Sequence, residues 1–306
     1  MNNSRRTFLK SSALTLVGAV LLPKTFFAAE AATSIVGVQL YSVRDEMKKA
    51  PLQTLQALSK MGYKYVEHAN YVDRKFYGYT PSEFKKILND LGMRMPSGHT
   101  VMRPNHWDNS AKSFTKQWIE TVEDAAILEQ EYVISPSMDD EYRKDINGLK
   151  QFMEVFNKSG ELCKTHGMKF GYHNHDFEFS TILDGKVMYD IILENTDPEL
   201  VIQQMDMGNM YGAGGRGLDF LKRYPGRFQS LHVKDEIKSK EGEMGGEYES
   251  TVLGKGLISV KEVLDLAKKV GGTKHYIVEQ ESYQGKSPMA CMKENLGIMK
   301  KWGYAS

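Results

Sequence analysis

Four short stretches of the 306-residue chain concentrate imidazole and carboxylate groups: Tyr172-His-Asn-His-Asp-Phe-Glu178, Gln204-Met-Asp206, Leu231-His-Val-Lys-Asp235 and Val278-Glu-Gln-Glu281. With one donor from each, Glu178, Asp206, His232 and Glu279 offer three carboxylates, one imidazole and no thiolate. Charged oxygens with a single nitrogen suit a hard or borderline dication. One divalent metal ion is therefore expected, Mn2+ or Mg2+ ahead of Zn2+ or Co2+, with Mn2+ favoured. The same stretches carry proton-transfer groups: His173 and His175 can act as a general base, and Lys234 can donate to a substrate oxygen. Glu67, His68 and His99 add donors and acceptors upstream, so that five of the eight histidines belong to this set.

Groups this far apart in sequence meet only if a fold brings their segments to one end. Short β-rich runs read Ile35–Tyr41, Tyr65–His68, Arg94–Gly98, Tyr132–Ser135, Lys169–His173, Val201–Asp206, Ser230–Lys234 and Tyr276–Glu279. Amphipathic helical runs alternate with them near Pro51–Met61, Pro81–Leu91, Ser110–Gln130, Tyr142–His166, Val187–Glu194, Leu218–Tyr224 and Val260–Lys269, and Met289–Trp302 closes the chain. Lys60-Met-Gly62, Asn89-Asp-Leu-Gly92, Thr165-His-Gly167 and Lys269-Val-Gly-Gly272 end helices on glycine, which accepts the left-handed cap. Thr80-Pro81 and Ser287-Pro288 place a capping hydroxyl and a first-turn proline at helix starts. Eight such pairs predict an α/β fold, a closed (β/α)8 TIM barrel. An open doubly wound sheet would want a GxGxxG turn after its first strand, whereas the glycine-rich Gly212–Gly217 follows the sixth. In a barrel the chemistry sits at the C-terminal strand ends, where Glu67, His68, His99, His173, Asp206, His232 and Glu279 all fall. Tyr41, Trp107 and Tyr211 are aromatic candidates for an apolar ligand platform, and Lys238–Glu249 reads as a solvated insertion rather than a lid.

The N-terminus reads as a separate element. Ser4-Arg-Arg-Thr-Phe-Leu-Lys10, an apolar run Ala13–Leu22 and small residues Ala28–Ala32 make up a secretory signal, with the Arg pair matching the twin-arginine consensus. An ordinary secretory signal with two chance arginines is the competing reading. The apolar run is too short to cross a bilayer, which takes about 20 residues. The expected division is a signal peptide over 1–31 and one barrel domain over 32–306, located in the periplasm. Loss of 1–31 removes Arg5, Arg6, Lys10, Lys24 and Glu30 and leaves 36 basic and 38 acidic residues, net −2. That balance argues against a nucleic-acid partner. Cys163 and Cys291 stand in helical runs outside any CxxC pattern and read as small apolar residues.

The stretch YHNHDFEF at 172–179, Asp206, His232-Val-Lys-Asp235 and Glu279 make the chain resemble the xylose-isomerase-like TIM barrels, which include sugar isomerases and epimerases, inosose dehydratases and endonuclease IV. The resemblance runs from Gly37-Val-Gln-Leu-Tyr-Ser42 to Glu279. It implies a dication held by Glu, Asp, His and Glu from successive strands, which maps onto Asp206, His232 and Glu279. Many family members place the first Glu at the end of strand five, where this chain has His173. Either Glu178 reaches back from the following loop or His173 binds the ion. Glu178 is preferred because a dication with acidic partners favours charged oxygen. Endonuclease chemistry would need a richer zinc set and a basic face.

The implied reaction starts with an ion that holds two neighbouring sugar oxygens and acidifies the C–H beside a carbonyl. A base, His173, His175 or an unengaged Glu279, takes that proton to give an enediolate. Glu67, His68 and His99 contact sugar hydroxyls, and Lys234 a substrate oxygen. Return of the proton makes an isomerase or epimerase. Loss of a β-substituent makes a lyase or dehydratase of a 3-keto-glycoside or inosose-like substrate. A non-catalytic periplasmic sugar-binding protein is the alternative from another class. The expected partner is a small neutral carbohydrate, without nucleic acid or stable membrane insertion, and homo-oligomer formation is left open.

Overall fold

The computed structural model describes residues 34–239 and 246–306. The expected signal peptide lies outside the described residues. Eight parallel strands close into a barrel: β1 (Ile35–Gln39), β2 (Tyr65–His68), β3 (Arg94–His99), β4 (Tyr132–Ser135), β5 (Lys169–His173), β6 (Val201–Asp206), β7 (Phe228–Val233) and β8 (His275–Val278). The ring closes because β1 pairs with β2 on one side, Gln39 opposite Glu67, and with β8 on the other, Val38 opposite Val278. One main helix follows each strand: α1 (Pro51–Met61), α2 (Pro81–Asp90), α3 (Lys116–Ile127), α4 (Ile146–Thr165), α5 (Met188–Asn195), α6 (Gly217–Arg223), α7 (Val260–Val270) and α8 (Pro288–Lys301).

The punctuation read from sequence acts as expected. Thr80 and Glu83 form a reciprocal capping box with Pro81 in the first turn of α2. Gly62 ends α1 at φ +110°, a conformation that carries no Cβ penalty for glycine.

Strand alternation divides the interior into two cores. Outward residues such as Val66, Phe170, Tyr172, Val201 and Met205 pack against the helices. Inward, Tyr132, Ile134 and Ile202 form a separate small cluster low in the lumen. A Cβ on Gly171 would lie 2.9 Å from Ile134 Cγ1, and one on Gly37 would lie 2.9 Å from Ile277 Cδ1. Glycine at these two inward positions therefore makes room for the isoleucines, the small-against-large filling that makes a barrel interior a packed core. Each such buried isoleucine contributes about 1.5–3 kcal/mol. Above this floor the lumen turns polar.

Several boundaries differ from expectation. Strand β1 stops at Gln39, and Leu40–Val43 forms a 3-10 turn instead of continuing to Tyr41. The expected helix Ser110–Gln130 starts only at Lys116, because Trp107–Asp108 and Ser113–Phe114 pair as a hairpin before it. The expected helix from Tyr142 starts at Ile146, where Asp145 caps it by accepting from Asn147 and Gly148 N–H. The insertion after β7 has ordered arms: Asp235–Lys238 pairs antiparallel with Tyr248–Thr251. Cys163 and Cys291 are both buried free thiols. Among the described residues, no helix is long and apolar enough to cross a membrane.

Candidate active site

The C-terminal strand ends deliver a ring of polar side chains. Gln39, His99, His173 and Asp206 are the last residues of β1, β3, β5 and β6, Glu67 is the penultimate residue of β2 and His232 of β7, and Glu279 directly follows β8. Asp206, His232 and Glu279 bring one ligand atom each to within 4.8 Å of one another, and all three are buried. Nδ1 of His232 lies 2.9 Å from Glu279 Oε2 and 3.7 Å from Asp206 Oδ2. Asp206 Oδ1 caps the short helix Met207–Gly212 by accepting from Asn209 N–H at 2.8 Å. Its other oxygen, Oδ2, is buried without a hydrogen-bond partner. His232 Nδ1 at 3.7 Å and Lys234 Nζ at 3.9 Å offset its charge without a hydrogen bond, so the oxygen keeps lone pairs that a metal ion could take.

The far side of His232 fits the same purpose. Its Nε2 lies 2.6 Å from Glu67 Oε1, the carboxylate–histidine arrangement that orients metal-binding imidazoles. Burial opposes a charge on His232, but the Glu279 and Glu67 carboxylates outweigh it and hold the ring pKa well above the usual range. Burial likewise opposes the Glu67 anion, while the charged His232 ring and hydrogen bonds from His232 and Ser97 hold its pKa below the usual range. Asp206 is held low against burial by Lys234 and His232. Glu279 is pushed up to about 7 by burial, partly offset by His232 and Lys234.

A glutamine that the sequence reading passed over links this cluster to the remaining histidines. Gln204 Nε2 donates to Glu67 Oε2 at 2.9 Å and to Ser230 Oγ at 3.0 Å. Its Oε1 must therefore accept, and it faces His99 Nε2 at 2.7 Å and His173 Nδ1 at 3.0 Å. Both rings thus carry their proton toward Gln204. His99 and His173 also form a second close group with His232, but two of its nitrogens are already committed to Gln204. Burial keeps both rings neutral, His99 at about 4 and His173 well below the usual range, helped in each case by the charge of His232. Asn174 fixes the frame, because its side chain accepts from Asp206 N–H at 3.0 Å and donates to Asp206 O at 3.2 Å.

Two expected residues are placed elsewhere. Glu178 does not join Asp206, His232 and Glu279. It lies behind the barrel wall, where it accepts from the Tyr172 hydroxyl and from His175 N–H at 2.9 Å, and burial pushes its pKa up to about 8. The reason is alternation: Tyr172 faces outward on β5, and the loop turns Glu178 back to that side. His68 follows the inward Glu67 and so faces outward as well, edge-on to Phe76 with ring centroids 4.8 Å apart. A Cβ on Gly98 would collide with its ring, and burial holds its pKa down at about 3.

His175 stands at the rim beside His173, with its Nδ1 buried and unpartnered. Lys234 is fully buried, with Nζ 2.5 Å from Glu281 Oε1, 3.3 Å from Asn209 Oδ1 and 3.9 Å from both Asp206 and Glu279. Asp235 instead ties down a loop by accepting backbone N–H bonds from Glu236, Gly254, Gly256 and Ile258. Of the aromatic candidates, Tyr41 stays exposed under Arg44, Trp107 packs on Phe114 and Tyr211 packs on Tyr248.

Comparison with known proteins agrees with this architecture. The profile described as xylose isomerase-like TIM barrel matches residues 55–302. An inosose dehydratase of Clostridium perfringens is 33% identical over 110 residues, 36% of each chain, so the match takes in about a third of that relative. The crystal structure of a sugar phosphate isomerase/epimerase from Parabacteroides distasonis superimposes with a TM-score of 0.73 at 25% identity, covering 89% of this chain and 100% of that one. An IOLI protein with a bound zinc atom shares the fold at a TM-score of 0.65 and 12% identity, covering 89% and 99%.

Proposed function

We propose, for a chain that belongs to the xylose isomerase-like TIM barrel family, that it is a divalent-metal-dependent enzyme that takes a proton from the carbon beside a keto-sugar carbonyl, isomerising or epimerising the sugar. The observation that carries this reading is the open Asp206 Oδ2, buried beside His232 Nδ1 and Glu279. Asp206, His232 and Glu279 would hold the ion, and the oxygen-rich set favours Mn2+, with Zn2+ supported by the bound zinc in the IOLI protein. When bound, the ion supplies Lewis acidity toward the carbonyl and a template for neighbouring oxygens.

The chain's own residues handle the proton. His173 is neutral and donates its Nδ1–H to Gln204, which leaves Nε2 as the acceptor for the C–H proton and as its donor on return. Lys234 brings a buried ammonium to the same end of the lumen and donates to the substrate oxygen as negative charge develops. Glu67 holds His232 in orientation, and His99 offers a substrate hydroxyl its remaining nitrogen. His175 at the rim is the alternative base.

A lyase reading is favoured by the likeness to inosose dehydratase over 110 residues. The same proton removal followed by loss of a β-substituent would release water or an aglycone. In our reading the chain is exported through its twin-arginine segment, which points to a neutral keto-sugar or oxidised glycoside. Detection of the N-terminally processed chain in a periplasmic fraction tests that placement.

The test of function is metal analysis of the purified protein together with NMR-detected C–H exchange in D2O on keto-sugars and 3-keto-glycosides. Stoichiometric metal and exchange, both lost in Asp206→Asn, are expected. Aglycone release would select the lyase, and metal-free protein without exchange on any substrate would leave the sugar-binding alternative.

A further inference from the structure

A cleft of about 580 Å3 opens beside the lumen, lined by Asn70, Tyr71, His99, Arg103, Asn105 and Gln117 among others. Its size is that of a site which encloses a whole small ligand, about 300–1,000 Å3. His99 is shared with the catalytic cluster, so the cleft adjoins the reacting ring rather than replacing its site. A group of comparable size attached to that ring would enter it.

The charges of the cleft say what kind of group. Arg74 is matched by Asp124, at 3.0 and 2.7 Å, and by Glu120 at 2.7 Å. Arg103 is matched by Asp139 at 3.0 Å. An anionic group would have to break these pairs, whereas a polyhydroxyl group can use the amides of Asn70, Asn105 and Gln117 without disturbing them. The walls are also set in place. The Tyr71 hydroxyl donates to Asp124 at 2.7 Å, and with Arg74 it pins the hairpin Tyr71–Phe76 to α3.

We propose that this cleft is a subsite for the second sugar ring of a neutral disaccharide substrate, the ring that bears the carbonyl lying over the lumen. The proposal takes the identity of the reacting ring from the function proposed above.

Titration calorimetry on the metal-loaded protein tests it without requiring turnover, using glucose, glucose 6-phosphate and the glucose disaccharides trehalose, maltose and cellobiose. At least one disaccharide is expected to bind about tenfold more tightly than glucose. Asn105→Trp and Gln117→Trp, both at exposed positions, would each fill the cleft and remove most of that preference. Equal affinity for glucose and all three disaccharides, a preference retained by both variants, or tightest binding of glucose 6-phosphate would overturn the subsite. Absence of proton exchange with the disaccharide preference intact would sink the catalytic reading and leave this one standing.

Discussion

On the lumen side of strands β5 and β6, Asp206 is an ionised acid with one oxygen on a helix cap and the other open. On the outer side of the same wall, Glu178 is just as buried but neutral, with both oxygens engaged by Tyr172 and His175. Burial raises both carboxyls. What separates them is the company of cations: Asp206 has Lys234 and His232 against it, while Glu178 has a phenol, a backbone amide and only a minor effect of Arg143. The charged and open oxygen is what marks Asp206, rather than Glu178, as the ligand candidate on this wall.

The sharpest way to break this contrast is Asp206→Asn. The side-chain oxygen that caps Met207–Gly212 is kept and the charge is removed, so the fold should survive, seen as an unchanged circular dichroism spectrum. Bound metal should disappear from elemental analysis, and proton exchange should fall by about 10³-fold.

Next in size is Gln204→Met, which removes the acceptor shared by His99 and His173. Ring 15N spectra should show mixed tautomers at both residues, and exchange should slow by about 10²-fold with metal content unchanged. A single retained tautomer would show that something other than Gln204 sets the rings.

Glu67→Gln weakens the partner behind His232. Metal affinity, measured by competition with a chelator, should drop about 10–100-fold.

The smallest expected effect on the metal is that of Glu178→Gln, which should leave affinity within about twofold. Its effect is on stability. A carboxyl at about 8 in the folded chain stays protonated where the unfolded chain has already released its proton. Its contribution is thus full at acidic pH and lost as pH rises through 8. Wild-type Tm should fall between pH 5 and 8.5, and the glutamine variant, neutral throughout, should fall less. Loss of metal in this variant would restore Glu178 as a ligand.

Much of the arrangement was legible in the chain itself. The β-rich and amphipathic runs, the glycine stops and the Thr80 and Ser287 caps read directly, because each acts over a few neighbouring residues. Asp206, His232 and Glu279 could be named because each sits at or beside a strand's C-terminal end on the inward phase. Glu178 and His68 were misplaced for a related reason. One stands beyond its strand, where alternation no longer tells the side, and the other is one residue out of phase with Glu67.

Period, capping and residue type are local properties, and they suffice to read a (β/α)8 order with acids and imidazoles at the strand ends. Which of those groups meet follows from the closed ring alone. The closing of β1 on β8 brings Glu67 within 2.6 Å of His232, 165 residues away. Gln204, silent in any motif, becomes the joint between Glu67 and two histidines because an amide can donate on one side and accept on the other. Such bonds depend on the curvature of the whole ring, a property no single segment carries.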